Sequence, residues 1–534
     1  MGKYLTAPQP TTEMPKGIPF IVGNEAAERF SFYGMKTILF VFMTQYLLTS
    51  DGTPSFLTAT QGREWVSWFV ASAYFFPVIG ALLADAFLGK YRTILLLSIV
   101  YCLGHLSLAL IDLPSEMLKA TFEPKVWLGV GLALVAIGSG GIKPCVSANV
   151  GDQFGKSNKH LLSKVFGWFY FAINFGSFFS TLLTPWLLKN YGPGWAFGVP
   201  GILMGIATLI FWLGRYRFVH IPPAGISKYI DEFVSGGGFL AVAKIVPIFA
   251  FVAVFWSLYD QSGSAWVEQA NKMDRQFMGV DWLESQVQAV NPLLILAYIP
   301  LFTYVIYPLI SSVFPLTPLR KIAIGLFLTV IAFGLSAYIE GWLVEGTARF
   351  AQDHVGPILA AGSVDFAATA KLIVANGNEA LATAMLNLSA QPSETTALTS
   401  ALAAGGRIAL SSGEIVAWAK PNIAWQLLAY VILTAAEVMV SITCLEFAYT
   451  QAPPKMKSFI MSLYLLSVSA GNVFTALVNR LTQDAQGNST LVGADYYWFF
   501  TYVMLGAAIV FIGVAYVYKP REYLQDEAAG GAAA

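Results

Sequence analysis

The segment Asn24-Glu25-Ala26-Ala27-Glu28-Arg29-Phe30-Ser31-Phe32-Tyr33-Gly34-Met35-Lys36 lies inside an apolar run over 18–48, about long enough to cross a bilayer as a helix. It carries Glu25, Glu28, Arg29 and Lys36 where charge is costly, roughly 2.5–3.5 kcal/mol per residue on insertion scales. At 3.6 residues per turn, Glu25, Arg29, Tyr33 and Lys36 share one stripe and Glu28 lies roughly 60° to its side. The run is therefore read as a helix with one polar face, turned toward a protein interior or a watered cavity. A solvated helix end would account for Glu25 and Glu28 but not for Lys36, which is eleven residues further in.

Composition agrees with a membrane setting. The 534 residues are 56% hydrophobic and only 12% charged, against roughly 25% charged in soluble domains. Net charge is zero, so overall charge indicates no nucleic acid or other polyanionic partner. Cys102, Cys145 and Cys444 are far apart in apolar runs, which suits neither a disulfide framework nor a zinc cluster. The first run is too long for a cleavable signal and lacks a small-residue cleavage site, so it is expected to remain as the first helix.

Further apolar runs cover about 65–88, 93–111, 126–150, 161–188 and 195–216, then 239–259, 292–314, 322–343, 423–448, 459–481 and 496–518. The fold class expected is an all-α membrane protein with twelve transmembrane helices in two six-helix bundles. Sixteen basic residues, among them Lys90, Arg92, Lys156, Lys159, Arg215, Arg217, Arg320 and Lys321, fall in alternate loops, and seven fall in the opposite short loops. The positive-inside rule then puts both termini in the cytoplasm. The division is an N-terminal bundle 1–217, a cytoplasmic linker 218–238 ending in Gly236-Gly237-Gly238, a C-terminal bundle 239–520 and a cytoplasmic tail 521–534. The second bundle carries an extracytoplasmic insertion over 344–421, about 78 residues rich in Ala, Thr, Ser and Gly, read as a small, partly helical lobe or a disordered loop.

Other polar residues interrupt the runs. Gly80-Ala81-Leu82-Leu83-Ala84-Asp85-Ala86-Phe87-Leu88-Gly89-Lys90 closes the second run. It resembles the gating motif of the major facilitator superfamily, with Asp85 a structural acceptor for helix ends or basic neighbours. Lys143 lies in the inner half of the fourth run, and a buried lysine needs a partner; Glu25, Glu28 and Glu437 are the candidates. Lys36 and Asp260 fall at similar outer depths and are expected to pair across the bundles. Asn174 and Asn291 add neutral amides, and Glu446, nine residues beyond Glu437 and so rotated by about 180° from it, is assigned to the cytoplasmic end.

These residues are similar to the signature motifs of the proton-dependent oligopeptide transporters, the peptide transporter family within the major facilitator superfamily. The resemblance rests on Glu25-x-x-Glu28-Arg29-Phe30, on Phe169-Tyr170-Phe171-Ala172-Ile173-Asn174-Phe175-Gly176-Ser177, and on Glu437 followed by Leu445-Glu446-Phe447-Ala448-Tyr449-Thr450-Gln451-Ala452-Pro453. It extends over all twelve helices and implies the major facilitator fold. It also implies proton-coupled import of di- and tripeptides by alternating access, with no ATP, no metal, and protons in place of any cofactor. By position it assigns proton coupling to Glu25, Glu28, Arg29, Lys143 and Asp260. Peptide binding falls to Tyr33, Lys36, Tyr74, Lys143, Asn174, Asn291 and Glu437, with Trp256 and Tyr464 as a hydrophobic side-chain pocket, and gating to Lys36, Asp260 and Asp85. The chain is expected to work as a monomer in the cell membrane, the inner membrane if bacterial. It departs from the family at Phe32, where many members have tyrosine, at Tyr464, where many have tryptophan, and at Ser67, where animal members have histidine.

An enzyme is disfavoured: His105, His160, His220 and His354 are dispersed, and no phosphate-cradling loop is present. A peptide receptor without turnover, or transport of another small anion or metabolite such as nitrate, stays open. Both signs of charge near one cavity favour a zwitterion.

Overall fold

The structure, a computed structural model, describes residues 4–8, 11–112, 123–155, 157–223, 225, 227, 238–375, 379–390, 395–451 and 457–518. Lys3, Lys119, Lys156, Lys228, Gly236, Gly237, Ala452, Pro453, Lys455, Lys519, Arg521 and the tail lie outside these residues.

Among the described residues twelve spans are helical, two of them reaching membrane length only by continuing through π turns, over Gln286–Val313 and Ala424–Ala448. The first bundle is α1 (Ile18–Val41), α2 (Ala59–Leu82), α3 (Lys90–Ala109), α4 (Pro124–Asp152), α5 (Leu162–Tyr191) and α6 (Pro193–Leu213). The second is α7 (Gly238–Tyr259), α8 (Val290–Leu301), α9 (Pro318–Phe350), α10 (Ala424–Glu437), α11 (Lys457–Leu481) and α12 (Ala494–Val517). Eleven spans are long and apolar enough by composition, and α1 joins them by its 24-residue length despite its charges.

Local sequence explains the ends. Thr58 and Gln61 form a reciprocal capping box at the start of α2, satisfying two otherwise orphan backbone donors. Pro124, Pro193 and Pro318 open α4, α6 and α9, at a position where a missing N–H costs nothing. Gly89, at φ 76°, turns the chain from the second span into α3.

Packing sorts the buried apolar residues into a core drawn almost wholly from α1–α6 and another from α7–α12, and Tyr74 packs against both. Small residues let helices touch backbone to backbone, as at helix interfaces in lipid generally. A methyl group on Gly80 would overlap the Gly141 backbone, joining α2 to α4, and one on Gly471 would overlap Ala253, joining α11 to α7.

Two boundaries differ from the hydropathy reading. The seventh span does not end near Asp260: a 3₁₀ turn, Asp260–Gly263, leads into a short helix, Ala265–Lys272. Ser264, at φ −140° and ψ −77°, breaks the helical path between them. The ninth span continues through a π turn, Ala351–Val355, to Ala360, so the insertion emerges from a helix extension and not at residue 344. Its chain folds into a lobe with helices Phe366–Ala375, Glu379–Ser389 and Thr395–Gly405. A hairpin of Arg407–Ala409 with Ile415–Ala417 completes it, over a core that includes Phe350, Met385, Leu402 and Ile408.

Candidate functional site

The polar face of α1 is buried, with Glu25 2% and Glu28 1% exposed. Arg29 Nε stands 2.7 Å from Glu25 Oε1 and 2.9 Å from Glu28 Oε2, so one guanidinium holds both carboxylates on a single helix. The 25–29 pair has i,i+4 spacing, which brings side chains together on one face. From α4, Ser139 Oγ donates to Glu28 Oε1 at 2.8 Å.

Lys143 departs from expectation. Its Nζ makes no hydrogen bond and no ion pair with Glu25, Glu28 or Glu437 among the described residues. It lies 3.9 Å from the Phe32 ring centre and 4.0 Å from that of Tyr74, an arrangement in which aromatic faces attract a cation. Arg29, already on the helix of the two glutamates, reaches them without crossing between helices and takes the place the sequence reading gave to Lys143.

The expected pair across the bundles is present. Lys36 Nζ donates to Asp260 Oδ1 at 2.7 Å, and Asn472 Nδ2 of α11 donates to Asp260 Oδ2 at 2.7 Å. The same half of the molecule is tied further. Arg63 of α2 pairs with Glu268 in the extension of α7, and its Nε donates to Asn479 Oδ1 of α11 at 3.1 Å. Glu64 accepts from Gln483 at 2.7 Å and from Arg480 at 3.2 Å, while Gln286 donates to the Leu182 carbonyl of α5 at 2.9 Å. One end of the groove between the bundles is thereby closed.

In the second bundle, Asn291 Nδ2 donates to Glu437 Oε2 at 2.7 Å and to Thr434 Oγ1 at 3.0 Å, and the Tyr259 phenol also faces Glu437. A π turn, Val438–Ile442, follows Glu437 directly, a local widening frequent at functional positions. Tyr33 lies in the field of Arg29, Lys36 and Glu437 together, so the charges of the two bundles converge on it. Trp256 and Tyr464 meet edge to face with ring centres 6.4 Å apart. Tyr464 shares a hydrogen bond of 2.8 Å with Ser441, and the Trp256 indole nitrogen is buried without a partner.

One residue does not join this group as expected. Asn174 donates to the Tyr170 carbonyl one turn back in its own helix, at 3.0 Å, and does not bond Glu437 in this conformation. Asp85 sits in a π turn, Leu83–Leu88, while the nearby Lys90 pairs with Asp152 at 2.7 Å. Glu446 is exposed, away from Glu437.

Ser139, Tyr259, Ser441 and Asn472 were not singled out from the sequence. Asn472 belongs to a polar stripe on α11 with Ser469, Thr475 and Asn479, whose helical spacing is a signal that would have found it. Among the described residues no cluster of His, Cys, Asp and Glu has the arrangement of a metal site. What the groups present can do is bind both ends of a zwitterion and exchange protons at buried carboxylates.

Residues 91–233, 239–359 and 395–499 match the POT family (PTR2). The chain is 31% identical to Peptide transporter family 1 of Drosophila melanogaster, over 97% of this chain and 89% of that protein. It is 30% identical to Solute carrier family 15 member 2 of Rattus norvegicus, over 95% and 90%. Among solved structures, an auto-inhibited POT family peptide transporter superposes with a TM-score of 0.71 at 30% identity, over 96% of this chain and 99% of that one. The POT family transporter PepTSo does so at 0.69 and 33%, over 95% and 99%.

Proposed function

The chain belongs to the POT family, and from that membership and the charges gathered between its bundles we infer that it is a proton-coupled symporter importing di- and tripeptides by alternating access. It is a multi-pass membrane protein and not an enzyme. The observation that carries the reading of the site is the placing of opposite charges on facing bundles: Arg29, Lys36 and Lys143 on α1 and α4, and Glu437 with its Asn291 donor on α10 and α8. A peptide has a carboxylate at one end and an ammonium at the other, so its carboxylate faces the first bundle, with Tyr33 and Tyr74, and its ammonium faces Glu437. Charge-assisted hydrogen bonds of this kind contribute roughly 1.5–3 kcal/mol each. The side chains meet Trp256 and Tyr464, which have an apolar body and a polar edge. Asn174, turned to its own helix in this conformation, joins the ammonium site only after a rotamer change.

Protons are the coupling ion, and no further cofactor is required. Protonation of Glu25 or Glu28 weakens its hold on Arg29, because a neutral carboxyl no longer attracts the guanidinium. The freed cation and the nearby Lys143 then take new partners, which biases the equilibrium between the two faces. Both termini are cytoplasmic, by the distribution of basic residues, which makes the closed end of the groove the outer one. The chain acts as a monomer in the cell membrane, the inner membrane in a bacterium, and Asp85 supports the inner end of the second span.

The test is uptake of a labelled dipeptide into proteoliposomes. An inward proton gradient should drive accumulation, and collapse of the gradient with a protonophore should abolish it while leaving counterflow. Accumulation that ignores the gradient would refute proton coupling, and absence of counterflow would leave a binding protein.

A further inference from the structure

Where the lobe meets the end of α7, a cavity of about 430 Å³ is walled by residues of the α7 extension, the lobe hairpin and the chain that returns to α10. Arg275, Arg407 and Lys420 converge on it. Arg275 is held by Glu284, whereas Arg407 and Lys420 have no carboxylate partner among the described residues. Lys420 Nζ donates to the Ala404 carbonyl at 2.9 Å. Gly406, at φ 72°, makes room for Lys420: a methyl group there would overlap the lysine stem. Burial first, then the Arg275 and Arg407 guanidiniums alongside, brings the Lys420 ammonium down to about 8 against the opposing pull of the Asp274 carboxylate.

The wall also holds an unused donor. The Trp418 indole nitrogen is buried and makes no hydrogen bond. Two acids share the cavity. Asp274 has its oxygens engaged by the Gln276 amide at 3.2 Å and Asn422 Nδ2 at 3.1 Å, and Asp281 is exposed on the adjoining hairpin. Donors with hydrogens to spare thus cluster at the Lys420, Arg407 and Trp418 wall. Asn271 lines this cavity and also a second one, of about 260 Å³, at the seam where α1 and α2 meet the α7 extension. The first cavity therefore adjoins the closed end of the groove.

We propose that this cavity is a docking site for a carboxylate, with Lys420 and Arg407 as its counter-charges and Trp418 as a hydrogen-bond donor, and that short peptides dock their C-terminal carboxylate there before the groove opens. Only the identity of the ligand rests on the peptide reading; the carboxylate site stands on its own residues. A lysine and an arginine beside an indole N–H supply the convergent donors that a carboxylate requires, in a volume suited to a small ligand.

The test is protection of Lys420 from amine acylation, followed by mass spectrometry on the full-length protein at mildly alkaline pH, with the exposed Lys371 of the same lobe as internal reference. The probes are N-acetyl-dialanine, its C-terminal amide, propionate and inorganic phosphate; none carries the ammonium assigned to Glu437. N-acetyl-dialanine should slow acylation of Lys420 several-fold relative to Lys371. The amide should not, and Arg407→Gln should remove the protection. Equal protection by the amide, or none by N-acetyl-dialanine, overturns the site, as does protection by phosphate alone. Protection by propionate equal to that by N-acetyl-dialanine overturns the peptide assignment. Labelling is read without transport, so a failure of the uptake experiment and a failure of this site are separately visible.

Discussion

Lys36 of α1 and Asp260, at the break in α7, stand 2.7 Å apart with side chains 13% and 7% exposed, so a nearly dry ion pair ties one bundle to the other. Removing one partner of such a pair leaves an uncompensated buried charge, at a cost of about 3–5 kcal/mol. That cost falls only on the conformation in which the pair is made. Asp260→Asn should therefore shift the population toward the state open at this end, within the limits of that difference. Cysteines replacing Lys36 and Asp260 should crosslink readily in the closed state and poorly when a ligand or lipid environment holds this end open. Equal crosslinking in both states would remove the gate role.

The contact between α2 and α4 offers a test of packing alone. Because a methyl group on Gly80 meets the Gly141 backbone, Gly80→Val should destabilise the first bundle by about 1–3 kcal/mol, the usual range for overpacking. Gly129→Ala, also in α4, has open space around the new methyl. It should be neutral or stabilising by up to about 1 kcal/mol, since alanine is the better helix former. Thermal unfolding in one detergent reads both, and a Gly80→Val variant as stable as its parent would show that the helices separate at little cost.

The polar residues of α1 were legible in the sequence because burial of charge in an apolar run is expensive, and helical periodicity then ordered Glu25, Arg29, Tyr33 and Lys36 on one face. The Lys36–Asp260 pair was legible from depth alone, since both belong to helices running in the same direction. The position of Lys143 was not. Whether a lysine between helices meets carboxylates or aromatic rings depends on Phe32 and Tyr74 in three dimensions, and no spacing rule records that. Hydropathy likewise missed the 3₁₀ turn at Asp260, because the apolar character of the span ends there while the helix resumes with a different, partly charged face. Asn174 matched the family's motif by position, yet its side chain bonds its own helix, a rotamer choice invisible to sequence.

With Arg29 held by two carboxylates, proton coupling should depend on both. Glu25→Gln and Glu28→Gln each mimic a permanently neutral carboxyl, and each should abolish accumulation driven by a proton gradient while retaining some gradient-independent exchange. Arg29→Gln leaves two buried acids without their cation and should abolish both activities. Uptake and counterflow in the same proteoliposomes separate the two effects. If both glutamine variants still accumulate peptide against its gradient, coupling lies elsewhere.

The polarity proposed for the bound peptide rests on Glu437. Its carboxylate already accepts from Asn291 at 2.7 Å and is faced by Tyr259, so it is held in one place. A free ammonium gains there a charge-assisted hydrogen bond that an acetylated amine cannot make, a difference of roughly 1.5–3 kcal/mol. Glu437→Gln should therefore weaken binding of a free dipeptide by about tenfold to a hundredfold, since each 1.4 kcal/mol is a factor of ten. It should change binding of the N-acetylated form little, because that ligand lacks the charge from the outset. Asn291→Ala should follow the same pattern more weakly, as it removes the group that orients the carboxylate and not the charge itself. Titration of the purified variants with both ligands measures the ratio directly. Equal losses for the two ligands would show that Glu437 does not hold the amino terminus, and its place beside the π turn of α10 would then point to a part in moving that helix.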